Sequence, residues 1–157
     1  MMILILLILL GVYLFADVSW IMEQEAFVRV LLCHFFHGNI FHLLANGLSV
    51  YVMFRRWKAW QIAVAYVIAV VSVMLYPTHV IGFSNVIYAV IGLKTPSFDS
   101  AWWRLPSTKI FLGVTVAMLL FPNVSAVTHI ISFVMGLAVS MSVRWFNLIR
   151  NDSARYI

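Results

Sequence analysis

"YPTHVIGFSNVIYAVIGLK", residues 76–94, decides how this chain folds. An apolar run starts at Ser84, directly after Gly82-Phe83, and meets a lysine at position 94. A helix from Ser84 to Lys94 rises about 15 Å, roughly half the hydrocarbon thickness of a bilayer. Such a helix is too short to cross a membrane, so its first residue, Ser84, is expected deep inside one. Residues 77–83 then descend from the outer surface; extended, they cover up to about 23 Å, enough for the distance. Pro77, Gly82 and the Thr78-His79 pair suit that loop. Non-helical backbone at such depth is tolerated only where it is buried in protein or lines a wet cavity.

The rest of the chain supplies the membrane context. Of its 157 residues 64% are apolar and 10% charged, and the mean hydropathy is +1.03. That composition excludes an ordinary soluble domain. Charged residues divide the chain into uncharged runs at 1–16, 30–54, 59–93 and 110–143. They predict spans over 2–22, 38–54, 58–76, 84–95, 108–121 and 127–144: an all-α, six-transmembrane-helix bundle forming a single domain over 1–157. The first run lacks the basic flank and cleavage pattern of a signal peptide and reads as a retained span. Cys33 is the only cysteine, which excludes an internal disulfide.

Charge placement gives the orientation. With six crossings and the N-terminus inside, nine of the ten basic residues fall on one side, Arg29 being the exception. That side is cytoplasmic by the positive-inside bias, and both termini lie there. Basic residues flanking spans explain the net charge of +5 without a nucleic-acid partner. Trp57, Trp60, Trp102, Trp103 and Trp145 stand beside the same charges, as interfacial rings do.

Rise per residue also sets the depth of the other polar side chains. Counted from Arg55, Asn46 lies about 14 Å and His42 about 20 Å above the cytoplasmic side; counted from Arg144, His129 lies about 22 Å above it. With Ser84 they occupy one layer in the outer half of the bilayer. His42 and Asn46, four apart, share a helix face, whereas His37 is off that face and nearer the surface. Taken singly, a buried serine or asparagine is an ordinary helix-contact residue. Four polar groups at one depth on three spans mark a functional site.

Helix faces bring these groups together. His129, Ser132, Gly136 and Ser140 form one stripe of the sixth span, and Ser84, Tyr88 and Gly92 one of the fourth. Such small-residue surfaces permit close backbone approach, and packing them together brings His129 toward Ser84. A serine hydroxyl attacks a carbonyl once a neighbouring base takes its proton, and imidazole suits that near neutral pH. The resulting oxyanion needs preorganised donors, which His42, Asn46 and the Ser84 backbone N–H supply, at a helix N-terminus whose dipole favours negative charge. The acids Asp17, Glu23, Glu25, Asp99 and Asp152 all lie outside the span cores, so a Ser84–His129 dyad is expected rather than a triad. Tyr88, one turn below Ser84, orients the imidazole by stacking or is an ordinary buried aromatic.

At these residues the sequence resembles the rhomboid family of intramembrane serine proteases. "HGNIFHLLAN" (His37, His42, Asn46) matches its second-helix H-x4-H-x3-N pattern, "GFSNVIYAVIG" (Gly82 to Gly92) its G-x-S segment, and "THIISFVMG" (Thr128 to Gly136) its A-H-x2-G-x3-G. The resemblance covers roughly residues 25–143. It implies Ser84 as nucleophile, His129 as base, and His42 and Asn46 as oxyanion donors. By the same resemblance His37 supports the water network near the site and Arg29 matches a first-loop arginine. The substrate implied is a transmembrane segment of another protein, with small, helix-destabilising residues near the cut. It enters laterally from the lipid bilayer and its product is released to the outer, periplasmic or extracellular, side of a plasma or inner membrane. No cofactor or metal is implied. Departures are Asn85 for the usual glycine after the serine, Thr128 for the alanine before the histidine, Ser132 for the first glycine after it, and Val28 for a tryptophan before Arg29.

Three other readings compete. A catalytically silent rhomboid-like protein binds transmembrane clients without cutting them, and Asn85 keeps that reading open. A haem or metal site built on His34, His37, His42 and His129 lacks the further ligands such sites use. A transporter built on a broken helix lacks the inverted repeat.

Overall fold

A computed structural model describes residues 1–54, 57–76, 81–95 and 126–153, the side chains of 148–153 excepted. Every regular element among these residues is a helix. In chain order they are α1 (Met2–Phe15), α2 (Val18–Glu23), α3 (Ala26–Leu32), a 3-10 turn (Cys33–Phe35), α4 (Ile40–Phe54), α5 (Ala59–Leu75), α6 (Ser84–Lys94) and α7 (Ala126–Ser153). The expected fifth span, 108–121, lies outside the described residues, as do Trp102 and Trp103 and most of the descending loop, residues 77–80.

Each boundary has a local cause. The expected first span, 2–22, is two helices, because Ala16 turns extended and Asp17 accepts the Ser19 N–H at 2.9 Å, capping α2. The second begins at Ile40 instead of 38, where the Asn39 carbonyl oxygen of the side chain accepts the His42 N–H at 2.9 Å. At the other end of the chain α7 runs on past the expected Arg144 to Ser153, since no glycine or proline follows Gly136 to stop it. The short helix α6 begins at Ser84 as its sequence predicts.

Among the described residues one helix, Ala126–Asn147, is long and apolar enough to cross a membrane by itself. The segments Ala26–Phe35 and Ile40–Phe54 qualify only as a pair, bent by 73°. Met2–Phe15 and Ala59–Leu75 are shorter apolar helices. The exterior is correspondingly apolar: Leu7, Phe15, Phe41, Leu48, Val67 and Met141 are all exposed.

The helix α6 sits at the centre. Every residue from Ser84 to Gly92 is buried, and the helix packs against α7, α5 and α4. A helix buried on all sides must be apolar on all sides, and over its buried residues, Ser84 to Gly92, this one is so apart from Ser84, Asn85 and Tyr88. Its core partners are Leu43, Val50 and Phe54 of α4 and Ile62, Ala65, Ile68 and Ala69 of α5, with Leu9 of α1 in the same cluster. At the C-terminal end of α6, Lys94 donates to the Met53 carbonyl at 2.9 Å and lies 5.2 Å from the Trp57 ring, closing the last turn of α4.

The segment between α1 and α4 is anchored as well. Arg29 donates to the Met22 carbonyl at 3.4 Å, tying α3 back to α2. The Tyr66 hydroxyl of α5 donates to the Leu31 carbonyl, and Trp20 stacks on Phe36 at 6.1 Å.

Candidate active site

The chain enters α6 through a turn that only glycine makes without strain. Gly82 has φ of +109°, the region that L side chains rarely occupy. Its N–H donates to the Cys33 carbonyl at 3.0 Å, which pins the turn to the 3-10 segment. Phe83 follows, buried between Phe35 and Phe54 at ring separations of 6.1 and 6.0 Å. Ser84 is therefore delivered as the first residue of α6 by a backbone held on both sides.

Across from it, His129 is the fourth residue of α7. Ser84 Oγ and His129 Nε2 are 2.7 Å apart, and both residues are buried. With the hydroxyl donating, Nε2 is the unprotonated nitrogen and the ring proton is on Nδ1, the tautomer a general base requires. The Tyr88 ring lies parallel to the imidazole, 12° from coplanar, with centroids 4.6 Å apart, and so restricts its rotation.

This approach depends on two glycines lower in the seam. A methyl group on Gly92 would fall on the Phe133 carbonyl oxygen and stand 2.8 Å from the Leu137 nitrogen. One on Gly136 would fall on the Ala89 carbonyl. At both positions the backbone of the facing helix occupies the space a side chain would need, so α6 and α7 pack this closely only with glycine there. Ser132 is buried in the same stripe, whereas Ser140 is only half-buried.

A second group of side chains gathers beside the Gly82 turn. A methyl on Gly82 would overlap the His42 ring and lie 3.3 Å from the Asn46 amide nitrogen. Both α4 residues therefore flank the backbone just before the serine. Asn46 is buried and donates through Nδ2 to His37 Nε2 at 3.0 Å. His37 Nδ1 in turn donates to the Phe35 carbonyl at 3.2 Å, which sets its tautomer. The His37 and His42 rings meet edge to face at 5.0 Å.

His37 precedes the first residue of α4, off the helix face that carries His42 and Asn46, as its sequence position implies. It is nonetheless buried and bonded to Asn46, a partner that the sequence did not indicate. The Cys33 carbonyl and the Asn39 cap were not among the expected site residues. Asn39 carries a recognisable signal, an asparagine just before an apolar run; a backbone carbonyl carries none.

Of the three acids with described side chains, Asp17, Glu23 and Glu25, all are exposed and none enters the site. Among the described residues no three His, Cys, Asp or Glu side chains converge as metal ligands do. The arrangement holds a hydroxyl, an imidazole aligned to deprotonate it, and amide and imidazole N–H groups near the turn that precedes the hydroxyl.

Compared with known protein families, the chain matches the model described as Rhomboid domain over residues 24–146. No curated protein and no solved structure matches the chain.

Proposed function

The chain belongs to the rhomboid family, and from that premise we propose that it is an intramembrane serine endopeptidase working through a Ser84–His129 dyad. Membership makes it an integral membrane protein of a family that acts on transmembrane substrates in the bilayer and includes inactive relatives. The observation that carries the catalytic reading is the 2.7 Å contact between Ser84 Oγ and His129 Nε2.

In the proposed reaction Ser84 Oγ attacks the scissile carbonyl while its proton passes to His129 Nε2. The carbonyl oxygen becomes an oxyanion, met by the Ser84 backbone N–H and by His42 and Asn46. The intermediate collapses by breaking the C–N bond; the leaving nitrogen takes the proton from His129, and the acyl group stays on Ser84. Water then attacks the ester carbon, gives a proton to His129, and the serine leaves as the proton returns to Oγ. His37 keeps the Asn46 amide turned for its part.

Supporting the membrane placement, α6 has 11 residues and rises about 16 Å, half of what a crossing needs. We read it as the short helix of a six-crossing bundle with both termini cytoplasmic and the site opening to the outer side. The substrate is a transmembrane segment that reaches Ser84 laterally from the lipid.

Cleavage of a rhomboid-type transmembrane substrate by the wild type, Ser84→Ala and His129→Ala proteins, in detergent and in lipid, is the test. Cutting by the wild type alone is the expected result. If the wild type leaves the substrate intact and labels with a fluorophosphonate no better than Ser84→Ala, the chain is a silent client binder.

A further inference from the structure

Asn85, Thr128 and Ser132 are three positions at which the chain departs from the rhomboid pattern, and they lie on the two helices that carry Ser84 and His129. All three are fully buried, at 0% exposure. The two helices run in parallel: Ser84 meets His129 near both N-termini, and Gly92 meets Phe133 and Leu137 further along both. Gly136 packs on the Ala89 carbonyl. One turn back along each helix, Ser132 comes level with Asn85 on the facing sides of α6 and α7.

Both side chains are sealed from solvent, yet among the described residues Asn85 Oδ1, Asn85 Nδ2 and Ser132 Oγ have no hydrogen-bond partner. Glycine at both positions would leave no such atoms. Buried polar groups without protein partners are satisfied by ordered water, and a water needs two to four of them. Three are gathered here.

We propose that Asn85 and Ser132 hold bound water between α6 and α7. The water accepts the Asn85 amide N–H and donates to the oxygens of Asn85 and Ser132. Asn85 adjoins Ser84 in the chain, and Ser132 lies one turn beyond His129, so the bridge clamps the two helices directly behind the Ser84–His129 contact. Both are positioning residues. This role rests on the endopeptidase reading; the bound water itself does not.

Water-to-amide magnetisation transfer, measured on asparagine-15N protein in lipid bilayers, reads the water without reference to activity. The Asn85 side-chain resonance, assigned by its loss in Asn85→Ala, is expected to show transfer from bound water in the wild type and in Ser132→Thr, and to lose it in Ser132→Ala. In cleavage assays Asn85→Gly and Ser132→Ala each lower kcat by about three- to tenfold with KM unchanged, and the double variant falls no further than the weaker single, because both remove the same bridge. No transfer at Asn85 in the wild type, additive effects in the double variant, or unchanged kcat in both singles overturns the proposal. Transfer in a wild type that cuts nothing retains the water and removes the endopeptidase reading instead.

Discussion

Ser84 Oγ and His129 Nε2 stand 2.7 Å apart, although 45 positions separate them in the chain. Neither α6 nor α7 alone holds that distance. It follows from backbone contacts at Gly92 and Gly136 and from the Gly82 turn that delivers the serine. Consequences for each part can be measured.

Ser84→Ala and His129→Ala each abolish cleavage to within the detection limit, a loss of at least about 10³-fold in kcat, since a nucleophile and its base act as a unit. The double variant is no worse than either single. Progress curves with a purified transmembrane substrate check this, and a double variant clearly slower than both singles contradicts the dyad.

Removing an oxyanion donor lowers kcat by about 10²–10³-fold with a small change in KM. Asn46→Ala and His42→Ala are expected in that range. His37→Ala costs less, because it frees the Asn46 amide to rotate rather than deleting it, and adding it to Asn46→Ala costs nothing more. The four-protein cycle of kcat values decides; an additive His37 effect means that its contact with Asn46 is idle.

Gly82→Ala combines an unfavourable φ with a methyl placed on the His42 ring. Backbone strain of this kind costs about 1–3 kcal/mol. Thermal unfolding in detergent is expected at lower temperature, with cleavage reduced further than stability alone requires because His42 is displaced. Gly11→Ala, where a methyl meets nothing within 4 Å among the described residues, serves as the control and leaves both readings unchanged.

Gly92→Ala and Gly136→Ala each press a methyl onto a backbone carbonyl, which cannot swing aside as a side chain does. Overpacking costs about 1–3 kcal/mol, and the helices part by moving apart at the level just below the dyad. Fluorophosphonate labelling of Ser84 slows by about tenfold or more on the same free-energy scale. By contrast Gly47→Ala, whose nearest neighbour is the Leu6 side chain at 3.6 Å, labels at the wild-type rate.

Tyr88→Leu keeps an apolar group of similar reach and loses the stacked ring. Aromatic stacking contributes about 0.5–1.5 kcal/mol, so a two- to tenfold fall in kcat is expected. A fall confined to KM contradicts an orienting role for the ring.

Much of this site was legible because a membrane simplifies the arithmetic. A span has a known length, a helix a fixed rise, and a polar side chain inside a span has few places to be. The Gly82-Phe83-Ser84 order predicted where α6 begins, and three- and four-residue spacing predicted which sides of α6 and α7 meet. The failures have local causes. The uncharged run ends at Ala16, but that the next residue, Asp17, caps a separate helix instead of riding within one longer span shows only in its bond to the Ser19 N–H. The bond between His37 and Asn46 was not foreseen, because His37 lies outside the helix and the chain bends by 73° just there.

Composition and periodicity, which act along the chain, therefore determined by themselves the all-helical class, the short helix beginning at Ser84, and the small-residue stripes. What passes between segments was decided only in three dimensions: the pinning of Asn46 by His37, the hold of the Cys33 carbonyl on Gly82, the 2.7 Å contact itself. Rise per residue sets how deep a group lies; which neighbour it meets at that depth depends on helix rotation and crossing, and those are set by the backbone contacts at Gly92 and Gly136.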